Sequence, residues 1–314
     1  AKILILERGI LPHGASTKNA GFACYGSISE ILSDLKIQTE EDVVKLVRKR
    51  WDGIQLLRKN LGDEAMDFQN LGGHEVFLQE QKELYQQCLE SLGHVNQLLK
   101  PIFNQENYIT NPLESQIDTG KMMSALLDII RKRGVNILNA IEVKGFQEIG
   151  EHVVVQTDRF EFKTRNLLIA TNGFAAQLIH EKVKPARAQV LITKPIRNLH
   201  INGAFHLDEG FYYFRNIDNR ILFGGGRNLD FETEETTVFG ETELVQNRLE
   251  ELLKTVILPN VGFEVDQRWS GIMGMGNKRP IVKQLSDRVF CGVRLGGMGI
   301  SIGSIVGKEL ADLV

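Results

Sequence analysis

Along the 314 residues, short uninterrupted apolar runs alternate with stretches in which apolar positions recur at helical spacing. That mixture predicts an α/β chain. Lys2–Arg8 (KILILER) predicts a buried strand ending in an acid, and Val289–Cys291 predicts another, ahead of a turn crowded by Gly292, Gly296, Gly297 and Gly299. From Thr39 to Leu61 the spacing predicts an amphipathic helix capped by Thr39. Gln81–Leu99 and Lys121–Arg133 predict two more, ended by Pro101 and Gly134. Phe68–Phe77 predicts a short hairpin around Gly72-Gly73. Val135–Leu138, Ile141–Phe146 and Asn166–Gly173 predict strands, and His152–Thr157 with Arg159–Phe162 a hairpin between them.

From Pro185 to Trp269 the pattern changes. Gln189–Thr193, Phe211–Phe214, Arg220–Gly224 and Gly262–Asp266 predict antiparallel strands, with a helix over Glu241–Val256 inserted between the last two. A parallel sheet with an antiparallel excursion is thus followed by a second, sheet-rich lobe, before the chain returns to its glycine-rich turn and a helix of small residues through Gly307.

Composition narrows the function classes. An apolar share of 42% and a charged share of 25% are ordinary for a globular protein. A net charge of −3 with a pI near 6.2 argues against a nucleic-acid binder. No apolar run is long enough for a membrane span. The three cysteines, Cys24, Cys88 and Cys291, are far apart and suit reduced thiols in a cytoplasmic setting. The seven histidines show no metal-ligand spacing, so no metal is expected.

Four stretches carry chemistry. Glu7-Arg8 ends a strand where a dinucleotide-binding fold places an acid on the adenosine ribose. Its partner, a G-x-G-x-x-G turn about 20 residues earlier, would lie ahead of Ala1, or else Glu7 is only a strand-end charge. Gly14–Phe22 is a small-residue loop rich in hydroxyl and amide groups, fit either to wrap phosphates or simply to turn the chain. Leu168-Ile-Ala-Thr-Asn-Gly173 ends an apolar strand in a small turn, and Gly292–Gly299 joins a strand to a helix with free N–H groups at its start.

In this order, the four stretches resemble the FAD-dependent amine and amino-acid oxidoreductase family of the D-amino-acid oxidase, glycine oxidase and γ-glutamylputrescine oxidase type, over nearly the whole chain. The resemblance implies a Rossmann-like FAD-binding domain at residues 1–62, 115–185 and 270–314, and an inserted, mainly antiparallel-sheet substrate domain at 63–114 and 186–269. It places Glu7 and Arg8 at the ribose, and Ser16, Thr17, Lys18 and Asn19 along the pyrophosphate and ribityl chain. Ala20, Gly21 and Phe22 fall at the isoalloxazine edge, Val143 at the adenine, and Thr171, Asn172 and Gly173 beside the adenosine half. Gly292, Arg294, Gly296, Gly297, Met298, Gly299 and Ile300 would pass along the flavin pyrimidine. The implied reaction is hydride transfer from the C–N bond of a small amine or amino acid to flavin N5, with oxygen or another acceptor completing turnover.

For the substrate side, the expected residues are Tyr212, Phe214, Arg227, Trp269, Met273 and Arg294, with Tyr213 alternating away from the pocket. The resemblance also exposes a departure: Met273 stands where amino-acid oxidases of the family carry a carboxylate-clamping arginine. Arg294 or Arg227 then takes that role, or the substrate lacks an α-carboxylate. Oxidation of a hydroxy acid or polyol on the same fold, and a non-catalytic or incomplete form unable to hold FAD, are the competing readings. The oligomeric state is left open.

Overall fold

The computed structural model describes residues 2–12, 14–99, 103–105 and 108–314; the helix end expected at Pro101 lies outside them. The first half of the chain opens with strand β1 (Leu4–Glu7), the single helical turn α1 (Ala15–Lys18), strand β2 (Phe22–Ala23) and helices α2 (Ile28–Leu35) and α3 (Glu40–Leu61). Ser27 caps α2 in a reciprocal capping box with Glu30, and the Thr39 side chain accepts from Asp42 N at 3.2 Å to start α3. After β3 (Gly73–Val76) come α4 (Lys82–Leu99), β4 (Asn104–Gln105), β5 (Ile109–Asn111), β6 (Ser115–Gln116) and α5 (Thr119–Lys132). The apolar faces of α2, α3 and α4 close on Tyr25, Ile28, Val47, Ile54 and Val95.

Strand β7 (Asn136–Asn139) pairs in parallel with β1. Strands β8 (Val143–Ile149), β9 (His152–Thr157) and β10 (Glu161–Thr164) make an antiparallel sheet, as the alternating pattern predicts. Strand β11 (Leu167–Ile169) pairs in parallel with β18 (Val289–Val293), which pairs in turn with β17 (Ile281–Ser286). Helix α8 (Gly299–Ala311) follows β18 and packs against α3.

The second sheet has eight strands in the order β16-β12-β15-β14-β13-β3-β5-β4, adding β12 (Lys184–Thr193), β13 (Ala204–Leu207), β14 (Tyr212–Ile217), β15 (Arg220–Gly225) and β16 (Val265–Met275). One face is covered by α7 (Glu243–Leu252), continued by a wider turn over Leu253–Ile257, through Leu191, Phe214, Phe223 and Leu249. The short helix α6 (Phe231–Glu234) precedes it. The other face meets Ala20 and Phe22 through Val190, Leu222, Tyr213 and Trp269.

Three expectations are corrected. Phe68–Phe77 is not a hairpin: β3 pairs with β5 and β13 instead, because the chain turns at Gly72 (φ 84°) and Ala204 N donates to Gly72 O at 3.0 Å. The strand expected over Gly262–Asp266 starts at Val265 and runs on to Met275, paired antiparallel with β12 along its length except for a bulge between Ile192 and Thr193. Ile3, Leu4 and Ile5 are exposed rather than buried: β7 is the partner of β1 on one edge, and no described strand lies on the other. Helix α2, capped by the Ser27–Glu30 capping box, was not expected.

Candidate functional site

The ends of β1, β11 and β18, the α1 turn and the inner face of the eight-stranded sheet enclose a cavity of about 1980 Å³. Its construction starts from turns stitched to one another. Asn172, at φ 44°, accepts on Oδ1 from Leu295 N at 3.0 Å, which joins the turn after β11 to the turn after β18. Gly296 N donates to Gly274 O at 3.0 Å, which adds the end of β16. Helix α8 then begins with Gly299 and Ile300 on the cavity wall, and the next N–H, of Ser301, donates to Met298 O at 3.0 Å.

At the strand end, the Glu7 carboxylate accepts from Gly9 N at 2.7 Å through Oε1. The Arg8 guanidinium sits 3.9 Å above the Phe174 ring. In α1, Asn19 Nδ2 donates to Ala15 O at 2.8 Å and its Oδ1 accepts from Gly21 N at 2.8 Å, so Asn19 folds the loop onto itself. Lys18 Nζ lies 4.2 Å from the Phe239 ring centre.

The sheet wall presents an aromatic corner. Phe22 meets His206 edge-on at 5.3 Å and Tyr213 at 5.8 Å between ring centres. His206 and Tyr213 are cross-strand partners of β13 and β14, and Tyr213 lies opposite Gly224 of β15, whose missing side chain admits the ring. Burial pushes the Tyr213 phenol up to about 12. Arg227, half-buried on the same wall, has its guanidinium 5.0 Å from the Phe231 ring and no ion pair among the described residues. Burial lowers its pKa, the response of a cation that lacks a compensating charge. Cys24, Glu114 and His206 also converge, their thiol, carboxylate and imidazole atoms within 4.8 Å of one another.

Most of the residues expected from the sequence reach this cavity: Glu7, Arg8, Ser16, Lys18, Asn19, Ala20 and Phe22 from the first two strands and loop; Val143; Thr171, Asn172 and Gly173; Arg227 and Met273; and Gly296, Gly297, Met298, Gly299 and Ile300. Others do not. Thr17 turns its hydroxyl to Pro12 O and Gly14 O. Gly21 (φ 74°) lets the chain pass Ile117, where a Cβ would meet Ile117 O at 2.3 Å. Gly292 lies under α8, with Leu310 Cδ2 3.0 Å from where a Cβ would be. Arg294 is held away by Nε donating to Arg279 O at 2.9 Å and Nη1 to Lys182 O at 3.1 Å.

Tyr212 and Phe214 are two more, and they reverse the expected parity. Tyr212 and Phe214 enter the core under α7, while Tyr213 lines the cavity. Trp269 supports the site rather than lining it, through Nε1 donating to Lys18 O at 2.9 Å. His206, Glu114 and Cys24 were missed; no spacing along the chain brings them together.

The fold accepts a cofactor with a long anionic body and a flat ring. The Glu7 carboxylate keeps one oxygen for hydroxyl groups, helix α8 offers its N-terminal N–H groups, and Phe22 stands at an opening walled by glycines. A family model described as FAD dependent oxidoreductase matches residues 1–313. Searching curated proteins finds no match. Among solved structures, glycine oxidase from Geobacillus kaustophilus superposes with a TM-score of 0.73 at 17% identity, covering 99% of this chain and 87% of that one. Iminodiacetate oxidase from Chelativorans sp. BNC1 gives 0.75 at 15%, covering 99% and 94%. FAD-bound L-alpha-glycerophosphate oxidase from Mycoplasma pneumoniae gives 0.75 at 14%, covering 99% and 88%. At these identities the likeness is one of fold.

Proposed function

The chain belongs to the FAD-dependent oxidoreductase family, whose cofactor is FAD, and from that premise we propose that it oxidises the C–N bond of a small amine that also carries an acid group. The bound FAD supplies the hydride acceptor at flavin N5; the protein's residues bind, orient and exclude water. Glu7 and Arg8 would hold the ribose, Ser16, Lys18 and Asn19 the chain between the rings, and Gly296–Ile300 the pyrimidine side, with the α8 N-terminus favouring negative charge there. Residues 63–114 and 186–269 would form the substrate domain, since their strands build the wall opposite the nucleotide turns.

One observation carries the substrate reading. Arg227 is a cavity cation without a carboxylate of its own among the described residues, and it shares the wall with the His206–Glu114 pair. A guanidinium left in that state binds a carboxylate strongly, and an anionic carboxylate beside an imidazole suits a cationic amine. Arg227 therefore takes the anchoring part that Met273 cannot. Glycine oxidase and iminodiacetate oxidase, whose names carry substrates of that kind, share the fold.

Oxidation of a C–O bond is the second reading, favoured by the same free guanidinium, which accepts a hydroxy acid or a phosphate equally well. L-alpha-glycerophosphate oxidase shares the fold too. Anaerobic mixing of the FAD-loaded protein with amines, amino acids, hydroxy acids and polyol phosphates decides between them. Bleaching of the flavin band by amino acids and not by their hydroxy counterparts is expected; the reverse pattern overturns the amine reading. Peroxide release on admitting air then identifies oxygen as acceptor.

A further inference from the structure

The sheet wall carries a polar row behind the aromatic corner. Glu75 of β3 stands opposite His206 of β13, which stands opposite Tyr213 of β14. Directly opposed side chains share a face. Glu75 and His206 are only 3% and 5% exposed, and Glu114, which reaches the same spot from the turn before β6, is 1% exposed. His206 Nε2 lies 3.4 Å from Glu114 Oε2, while Glu114 Oε1 accepts from Tyr25 N at 2.8 Å. Gly73 makes the room: a Cβ there would sit 1.9 Å from Glu114 Oε2. The Glu75 carboxylate accepts from the hydroxyls of Ser27 and Ser29 and from Ser29 N.

Between these groups is a void of about 10 Å³ bordered by Ser27, Glu75, Asn111, Glu114 and His206. That is close to the least volume that holds one water. Asn111 Nδ2, a buried donor without a partner among the described residues, belongs to a residue on its rim. His206 borders both this void and the large cavity. Two carboxylates and an imidazole in one dry wall are costly unless they share protons.

We propose that His206, held by Glu114, accepts the proton that an amine substrate must shed before its carbon is oxidised, with Glu75 closing the inner end of the unit. The role rests on the amine reading above. In the step, a substrate N–H bond breaks, its electron pair stays on nitrogen, and an N–H bond forms on the imidazole. No electron leaves the substrate in this step.

The titratable groups around the imidazole are Glu114, Glu75, Glu30, Cys24 and Tyr213, while the Arg50 guanidinium acts on Cys24. Burial pulls the His206 pKa down, but the contact with Glu114 and the charges of Glu114, Glu30 and Glu75 outweigh it and raise it above its ordinary value. Burial raises Glu75, and burial with Glu114 and Glu30 raises Cys24 well above the usual thiol range. The imidazole is thus the member of the cluster placed to exchange a proton near neutral pH.

Imidazole NMR on the full chain tests the unit without flavin or substrate, with His206→Gln assigning the resonance. His206 should titrate above about 6.5, the ordinary histidine value. Glu114→Gln should lower that midpoint most, and Glu75→Gln should lower it less. A midpoint at or below the ordinary value, or one indifferent to Glu114→Gln, overturns the proposal. In the FAD-loaded enzyme, His206→Gln should slow anaerobic bleaching by an amine roughly 10²–10⁴-fold and remove its acid-side pH limb, with flavin retention unchanged. Bleaching by amines with an unaltered pH profile overturns the proton role and leaves the amine reading standing. If no amine bleaches the flavin, the reading falls and the role with it, whatever the titration shows of the pair.

Discussion

The indole Nε1 of Trp269 donates to the carbonyl of Lys18 at 2.9 Å, fastening the eight-stranded sheet to the α1 turn. Trp269 lies in β16 beside Val190 of β12, so the bond fixes where the sheet's inner face stands relative to the loop that includes Ser16, Asn19 and Phe22. Trp269→Phe keeps most of the ring and loses the donor. The expected cost is about 1 kcal/mol of unfolding free energy, read by denaturant titration, with weaker FAD retention. A variant as stable as the parent and equally retentive would falsify this fastening role.

Tyr212 and Tyr213 divide two tasks between adjacent positions. Tyr212 is buried against Phe223 and the α7 layer, so Tyr212→Ala should cost roughly 3–5 kcal/mol, the range for large aromatic truncations. Substrate KM in the folded fraction should not move. Tyr213→Phe should leave stability nearly intact and change KM, because Tyr213 lines the cavity. Steady-state kinetics and melting curves on the two variants give the crossed pattern; a shared pattern would reject the assignment of faces.

That pair also marks where the sequence stopped being legible. Period-2 alternation says that Tyr212 and Tyr213 face opposite sides, but it names the cavity side only when one side is polar. Here α7 covers one face and Ala20 and Phe22 the other, so both tyrosines read as apolar. Local signals fared better: the cap at Thr39, the parallel runs at Leu167–Ile169 and Val289–Val293, and the glycine turn before α8 all stand where the pattern put them. Arg294 was misjudged because its position beside the turn was legible and its bonds to Lys182 O and Arg279 O were not. The His206–Glu114–Glu75 row depends on a parallel pairing of β13 with β3, a contact that no sequence spacing encodes.

Arg227 and Arg294 make the substrate anchor testable. Losing charge-assisted hydrogen bonds to a carboxylate costs about 2–3 kcal/mol, so Arg227→Met should raise KM for an acidic substrate ~30- to ~150-fold. For an amine without an acid group, KM should hardly change. Arg294→Met should do the opposite: it strips partners from two backbone carbonyls and lowers the melting temperature, leaving KM in place. Equal KM effects from the two variants would return the anchor to an open choice.

Glu75 sets a pH dependence whose sign follows from its burial. Desolvation raises its folded pKa above the unfolded one, so the native chain binds more protons than the unfolded chain in the window between them. The stability it contributes is whole below the unfolded carboxylate pKa and is lost as pH rises through the folded value. His206, also raised, adds a loss of the same sign at higher pH, from below its ordinary value through its folded one. Glu75→Gln cannot ionise, so it removes the carboxylate part of the slope and leaves most of the imidazole part. Melting temperatures taken from about pH 5 to about pH 8 should fall less in Glu75→Gln than in the parent, the two curves separating as pH rises. Parallel curves across that range would mean that Glu75 is ionised in the folded chain, compensated by the hydroxyls of Ser27 and Ser29 and the backbone N–H of Ser29 that surround it.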